Sequence, residues 1–328
     1  VTDTKPQREK SPRILAALEG QFRPKRYHRE ATLRPATPLP ANLVGFVTRS
    51  LPTWDWTADE RPAEDIVRLD GNGAWIAAAS SVQIGMEQLT RTGKMPMEQF
   101  LKDRAPGYYQ VRVWNAIHPH NACAGPLVEP DPSLDLHSWS DRRFVSPLGR
   151  ERDGFVWICE PTLKLLTELQ ADDEWWGALD IVDSWTAETK TDLRDWTSWV
   201  DAQRLELKSR ADEGAEDARE TFKLRYAQAV QMLGGATDEK TGRDKCLVKR
   251  PDWYHAIIAQ HRANQWRKTW RAIKAEVPVV AVGGNDEIHV TRTGYDMLRE
   301  MAKPPIRLHP TALGAYDVKG IDIHQGRG

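Results

Sequence analysis

The 328-residue sequence predicts an α+β fold, and three stretches carry that expectation. Val277-Pro-Val-Val-Ala-Val-Gly-Gly-Asn-Asp-Glu-Ile-His-Val-Thr291 reads as two short strands joined by a tight turn. Val277 to Val282 is β-branched, Gly283-Gly284-Asn285 tolerates positive φ, and Glu287 to Thr291 alternates, so Asp286 is presented at the tip. On its own the segment is also an ordinary hairpin with a polar turn. Asp65-Ile-Val-Arg-Leu-Asp70 is a second strand that ends on an aspartate, after which Gly71-Asn72-Gly73 turns the chain into the helix formers Ala74 to Ala79. From 192 to 275 apolar residues recur at helical spacing.

Composition bounds the function. The 46 Lys and Arg nearly balance the 47 Asp and Glu, so no global charge marks a nucleic-acid binder, although basic residues prevail over 201–275 and acidic ones over 171–200. Three cysteines, widely spaced and without a C-x-x-C pair, argue against a disulfide framework or a zinc site and for a reducing, cytoplasmic setting. No apolar run has the roughly 18 residues of a membrane span, so no membrane partner is expected. Fourteen tryptophans against seven tyrosines imply large aromatic anchors, most of them in the core.

Residues 1–40, rich in Lys, Arg and Pro, read as a basic arm or linker with a short helical pattern around Ile14 to Leu18. Asn42 to Thr48 is a candidate first strand. The Asp70-Gly-Asn-Gly string fails as a calcium loop, because Arg68 and Ala79 would stand at its first and twelfth positions. Tyr108 to Trp114 and Gly154 to Cys159 run as strands, with His118 and His120 read as residues of the loop between them. Pro161 to Gln170 is a short helix with proline in its first turn, and Ala178 to Asp183 a further strand.

Over 192–234 the pattern is an antiparallel helical hairpin broken near Asp212-Glu-Gly214. Leu193, Trp196, Val200, Leu207 and Ala211 mark the first arm, and Ala215, Ala218, Phe222, Ala229 and Leu233 the second. Arg219, Lys223 and Tyr226 share another face of the second arm, either a solvated stripe or a functional one. After a charged loop over 236–249, Asp252 to Ala275 is a long amphipathic helix that delivers the chain to the hairpin at 277–291.

Two carboxylates at the ends of neighbouring strands can hold a pair of Mg²⁺ ions, and a lysine on a facing helix can neutralise a triphosphate. At these residues the sequence resembles the family B DNA polymerases, particularly their protein-primed branch. Asp70-Gly-Asn-Gly-Ala-Trp-Ile76 resembles the palm motif D-x-x-S-L-Y-P, with Trp75 in place of the sugar-contacting tyrosine. Lys223 matches the lysine of the fingers motif K-x-x-x-N-S-x-Y-G, and Val282-Gly-Gly-Asn-Asp-Glu287 falls on Y-x-D-T-D-S with Asp286 as the second aspartate. The sequence departs from the family at Ala227, Val230, Gln231 and Gly284. More loosely, Ala77 to Val82 with Leu89-Thr-Arg-Thr-Gly93 is similar to segments of telomere-associated and replication proteins of linear actinobacterial replicons.

The resemblance implies a polymerase-like palm, an antiparallel sheet with helices on one face, and an inserted fingers hairpin, with no exonuclease and little or no thumb. It divides the chain into an arm (1–40), a first palm part with a strand-rich insert (41–191), fingers (192–235), and a second palm part with a C-terminal tail (236–328). It implies Mg²⁺ or Mn²⁺ held by Asp70 and Asp286, and a nucleoside triphosphate met by Lys223, Arg219, Trp75, Gly71 and Asn72. The implied partners are DNA and a terminal or priming protein. The implied activity is nucleotidyl transfer in the replication of mobile or linear DNA. The alternative is an inactive polymerase-fold module that binds DNA ends or a terminal protein.

Overall fold

The computed structural model describes residues 63–114, 154–171, 178–234, 248–283 and 286–323, with Ala16, Leu18 and Glu19 of the N-terminal segment. The candidate strand at 42–48, the loop carrying His118 and His120, most of the 236–249 loop, the Gly284-Asn285 turn, Cys123 and Cys246 lie outside these residues. Within them the chain is α+β, with two four-stranded antiparallel sheets, a two-stranded one and seven helices.

The first sheet has the order β10-β1-β9-β8, from β1 (Ile66–Gly71), β8 (Val279–Val282), β9 (Glu287–Thr291) and β10 (Tyr316–Asp322). Alternation along β1 sets its two faces. Val67 and Leu69 are fully buried with Val279, Ile288, Val290 and Leu298, so Arg68 and Asp70 point to the opposite face. Gly71-Asn72-Gly73 then feeds α1 (Ala74–Ser81), as the sequence predicts. β10 was not expected: the tail after residue 291 instead forms a helix and this edge strand. The strand completes the face that carries Asp70, with Asp70 opposite Asp317 on one side and Glu287 on the other.

The second sheet, β3-β6-β4-β5, combines β3 (Thr90–Arg91), β4 (Gly107–Trp114), β5 (Gly154–Cys159) and β6 (Ala178–Thr186). β2 (Gln83–Ile84) and β7 (Thr191–Asp192) pair separately. Two helices flank this region, α2 (Met97–Asp103) and α3 (Glu160–Ala171). Phe100, Tyr109, Val111, Ile158, Leu163 and Leu166 make its core.

A single helix joins the parts. α6 (Pro251–Lys274) has 24 residues and so spans roughly 36 Å at 1.5 Å per residue. Trp253 and Ile257 enter the core beneath α1, Trp266 and Trp270 the core of the second sheet, and Ala272 the core of the first. Its start is fixed by the buried Arg250, which bonds Asp252 at 2.9 and 2.6 Å and the carbonyls of Gly85 and Met86 at 2.6 and 2.8 Å. Trp253 Nε1 donates to the same Gly85 carbonyl at 2.7 Å. These bonds satisfy a buried charge that would otherwise be costly.

α4 (Arg194–Ser209) and α5 (Ala215–Leu233) form the expected helical hairpin, turned by Gly214 at φ 86°. Trp196, Val200, Ala229, Val230 and Leu233 pack on α1 and the start of α6. One assignment changes: Tyr226 is not part of a solvated stripe with Arg219 and Lys223 but is buried in this core. After β9, α7 (Arg292–Glu300) is capped by Thr291, whose Oγ1 accepts from the Gly294 amide at 3.0 Å.

Candidate active site

The site begins with a backbone contact. The Gly71 amide donates to the Asp286 carbonyl at 3.1 Å, and a Cβ on Gly71 would stand 3.3 Å from the Cβ atoms of both Ala74 and Asp286. A side chain here would be tight, so glycine lets the β8–β9 tip come this close to the end of β1 without displacement. The consequence is that Asp286 and Asp70, far apart in sequence, lie in one electrostatic neighbourhood.

The ionisation of Asp286 records that neighbourhood. Its carboxyl is pushed up to about 6, first by burial and then by the negative charge of Asp70, with Lys223 and Lys319 opposing and Glu287 adding to the rise. Lys223, exposed on α5, acts on Asp286, and Tyr226, one turn further, is pushed up to about 12 by burial, with Asp286 and Asp70 among the charges that raise it. Behind the sheet, the buried Tyr316 is raised in the same sense by burial and by both aspartates.

Two residues to which the sequence reading gave no role, Lys319 and Glu287, complete the cluster, together with Tyr226 from the stripe that also carries Lys223. Lys319 on β10 bonds Glu287 on β9, and its Nζ is 3.8 Å from Asp70 Oδ1. Glu287 also meets His289 Nε2 at 3.2 Å, and its carboxyl is held below the usual range chiefly by the Lys319 bond. The period-two alternation of Tyr316-Asp-Val-Lys319 was a strand signal present in the sequence.

The other expected site residues have defined places. Asn72 is held on all sides: its side-chain amide donates to the His309 carbonyl at 2.7 Å and accepts from Lys208 Nζ at 3.1 Å, while its backbone bonds Ala315 and Gly314 at 2.7 and 2.8 Å. Gly73 has φ 56°, and a Cβ there would meet Leu313 Cδ1 at 2.8 Å. Trp75 stacks on His261 of α6 with ring centroids 4.8 Å apart and planes 8° from parallel. Arg219 closes the hairpin turn: Nε and Nη2 donate to the carbonyls of Leu207 and Arg210 at 3.0 and 2.6 Å, and Nη1 to Glu216 at 2.7 Å. The structure thus brings Asp70, Asp286, Gly71 and Lys223 together and sets Arg219 at the turn between α4 and α5.

As a donor set, Asp70 and Asp286 offer carboxylate oxygens whose mutual repulsion a divalent cation would relieve, which suits Mg²⁺ or Mn²⁺. Among the described residues no group of three or more His, Cys, Asp and Glu is arranged to hold a metal, so the pair would need ligands from substrate or water. No described helix is long and apolar enough to cross a membrane.

No protein-family model and no curated protein sequence matches the chain. Its structure is similar to phi29 DNA polymerase in complex with primer-template DNA and incoming nucleotide substrates, with a TM-score of 0.58 and 13% identity over 93% of this chain and 52% of that one. It is similar also to the same polymerase in its post-translocation binary complex with primer-template DNA (TM-score 0.57, 13% identity, 94% and 52% covered). The complex with single-stranded DNA gives a TM-score of 0.54 at 13% identity, with 94% and 52% covered. The chain spans about half the length of these structures, and the likeness is one of fold.

Proposed function

We propose that the chain is a polymerase-like protein of DNA replication that performs metal-dependent nucleotidyl transfer, with Asp70 and Asp286 as its metal-binding carboxylates. The observation that carries this reading is the approach of the Asp286 backbone to the end of β1 beside Asp70, with the charges of Asp70 and of Lys223 on the helical hairpin both acting on the Asp286 carboxyl. The likeness of fold to a DNA polymerase supports it. On this reading residues 41–191 and 236–328 are the palm, 192–235 the fingers, and 1–40 a basic arm.

A divalent cation held by the pair would supply Lewis-acid stabilisation to the phosphoryl group under attack. The chain's own groups do the positioning. Lys223 offers its ammonium to the triphosphate, Trp75 presents a ring edge backed by His261 to the sugar, and Gly71 keeps the two carboxylates close. Asn72 acts through turn shape, because its amide is already engaged, and Arg219 acts by holding the hairpin that carries Lys223. DNA and nucleoside triphosphates are the partners, and priming by a terminal protein on a mobile or linear replicon is the specific form.

A second reading, an inactive module that binds DNA ends or a terminal protein, is favoured by Ala227 and Val230 in α5, where the resembled fingers motif has asparagine and tyrosine. Primer extension with Mg²⁺ or Mn²⁺ separates the two. Incorporation by the wild type that vanishes in Asp70→Asn and Asp286→Asn supports the enzyme. DNA binding retained without incorporation on any nucleic-acid or protein primer supports the module.

A further inference from the structure

We propose that Lys319 is the site's own counter-ion, held in place by Glu287, and that this ammonium sets how tightly Asp70 and Asp286 take up a divalent cation. The inference rests on reading the two aspartates as a metal pair, and it adds to that pair a residue from another strand with a defined role.

The geometry that delivers Lys319 is built into the sheet. In the β1–β10 pairing Val318 is opposite Leu69 and Gly320 opposite Arg68, so Lys319 is the extra residue of a β-bulge with no partner of its own. A bulge of this kind re-aims a side chain. Gly320 leaves room for the Arg68 guanidinium, whose Nη2 would lie 2.7 Å from a Cβ there. From the edge strand the Lys319 side chain reaches over β1 to Glu287 on β9, passing 3.8 Å from Asp70 Oδ1. Glu287 is itself held by His289 Nε2 at 3.2 Å. The remaining neighbour of Asp70 along the sheet, Asp317, accepts a bond from the Val318 amide at 2.9 Å.

A positive charge in that position does two opposed things. Without metal it offsets the repulsion between Asp70 and Asp286. With metal it is a like charge beside a divalent cation, and it lowers the affinity of the site. Glu287 decides the balance by keeping the ammonium on the β9 side of Asp70.

The test is Mn²⁺ binding to the full chain without nucleotide, followed by paramagnetic resonance and calorimetry, with thermal melting beside it. Lys319→Gln is expected to bind Mn²⁺ about tenfold more tightly than wild type and to melt lower without metal. Lys319→Arg, which keeps the charge, is expected to restore wild-type behaviour in both. Glu287→Gln is expected to weaken binding in the wild-type background and to have less effect in the Lys319→Gln background, because there is then no ammonium to release. A site that binds Mn²⁺ in a manner lost in Asp286→Asn, yet with equal affinity in wild type and Lys319→Gln, overturns the counter-ion and leaves the metal pair standing. Uptake by Lys319→Gln alone supports the proposal, and no uptake by either protein sinks the metal pair and the counter-ion together.

Discussion

The Gly71 amide bonds the Asp286 carbonyl across 3.1 Å, so the residue that follows one carboxylate is tied to the backbone of the other. This bond makes Gly71 a residue of the site without a side chain in it. A methyl group there would meet Ala74 and Asp286 at 3.3 Å, a gap that closes only if the β8–β9 tip gives by a few tenths of an ångström.

Gly71→Ala is therefore expected to fold with a loss of about 1 kcal/mol, and Gly71→Val with a loss of about 2–3 kcal/mol. Both should separate the two aspartates. The check is the pH dependence of stability: in Gly71→Val the Asp286 carboxyl should titrate lower than in wild type, as the charge of Asp70 recedes. A Gly71→Val protein with wild-type stability and an unmoved titration would show that the contact is not tight.

The raised carboxyl of Asp286 gives the wild type a specific pH profile. A folded value of about 6 against the ordinary 3.8 of an aspartate means that the folded chain holds this proton more firmly than the unfolded one. The contribution to stability is fully present below about pH 4 and is lost as pH rises through about 6. Allowing for the partial exposure of the group, the loss is on the order of 1–2 kcal/mol. Asp286→Asn should remove this fall and be the more stable protein at pH 7.5 without metal. Added Mn²⁺ should stabilise the wild type at pH 7.5 and much less at pH 5, where the proton competes for the same oxygens. Melting curves at the two pH values, with and without metal, decide it.

Two basic residues of α5 should behave differently although they are one turn apart. Lys223 is exposed, so Lys223→Ala should leave the melting curve within about 0.5 kcal/mol of wild type while weakening nucleoside triphosphate binding several-fold. Arg219 bonds two carbonyls across the hairpin turn, so Arg219→Ala should lower stability by about 1–2 kcal/mol. Equal nucleotide affinity in wild type and Lys223→Ala would remove Lys223 from the site.

The contrast between these two residues shows what the sequence could reveal. The strand to Asp70, its glycine turn, α1, the helical hairpin and the Asp286 tip are each specified by neighbours in sequence, and period and turn chemistry found them. Arg219 and Tyr226 fall on one stripe of α5 by periodicity, but the tertiary packing divides that stripe: Arg219 folds back onto the turn and Tyr226 enters the core shared with α1 and α6. β10 escaped for a related reason. Its alternation is broken by Gly320 at the bulge, and its partner β1 lies far away along the chain, so no local signal named the pairing that brings Lys319 to Asp70. The two aspartates were legible as chemistry. The lysine beside Asp70 was legible only as a fold.

Trp75 provides the last prediction, because its two roles give different outcomes. The ring is half-buried, stacked at 4.8 Å on a His261 that burial holds near 4 and so keeps neutral, and it packs against the core beneath α1. If Trp75 is only a wall of that core, Trp75→Ala should lose about 3 kcal/mol or more and affect deoxy- and ribonucleotides equally. If its outer edge lies under the sugar, the mutant should relax discrimination against ribonucleotides, and His261→Ala should do so partly, because the ring then loses the surface that fixes its tilt. Trp75→Phe separates the cases: a smaller ring keeps much of the packing, so a stable protein with altered sugar preference can arise only from the second role. Unchanged preference in Trp75→Phe and His261→Ala together would leave Trp75 to the core.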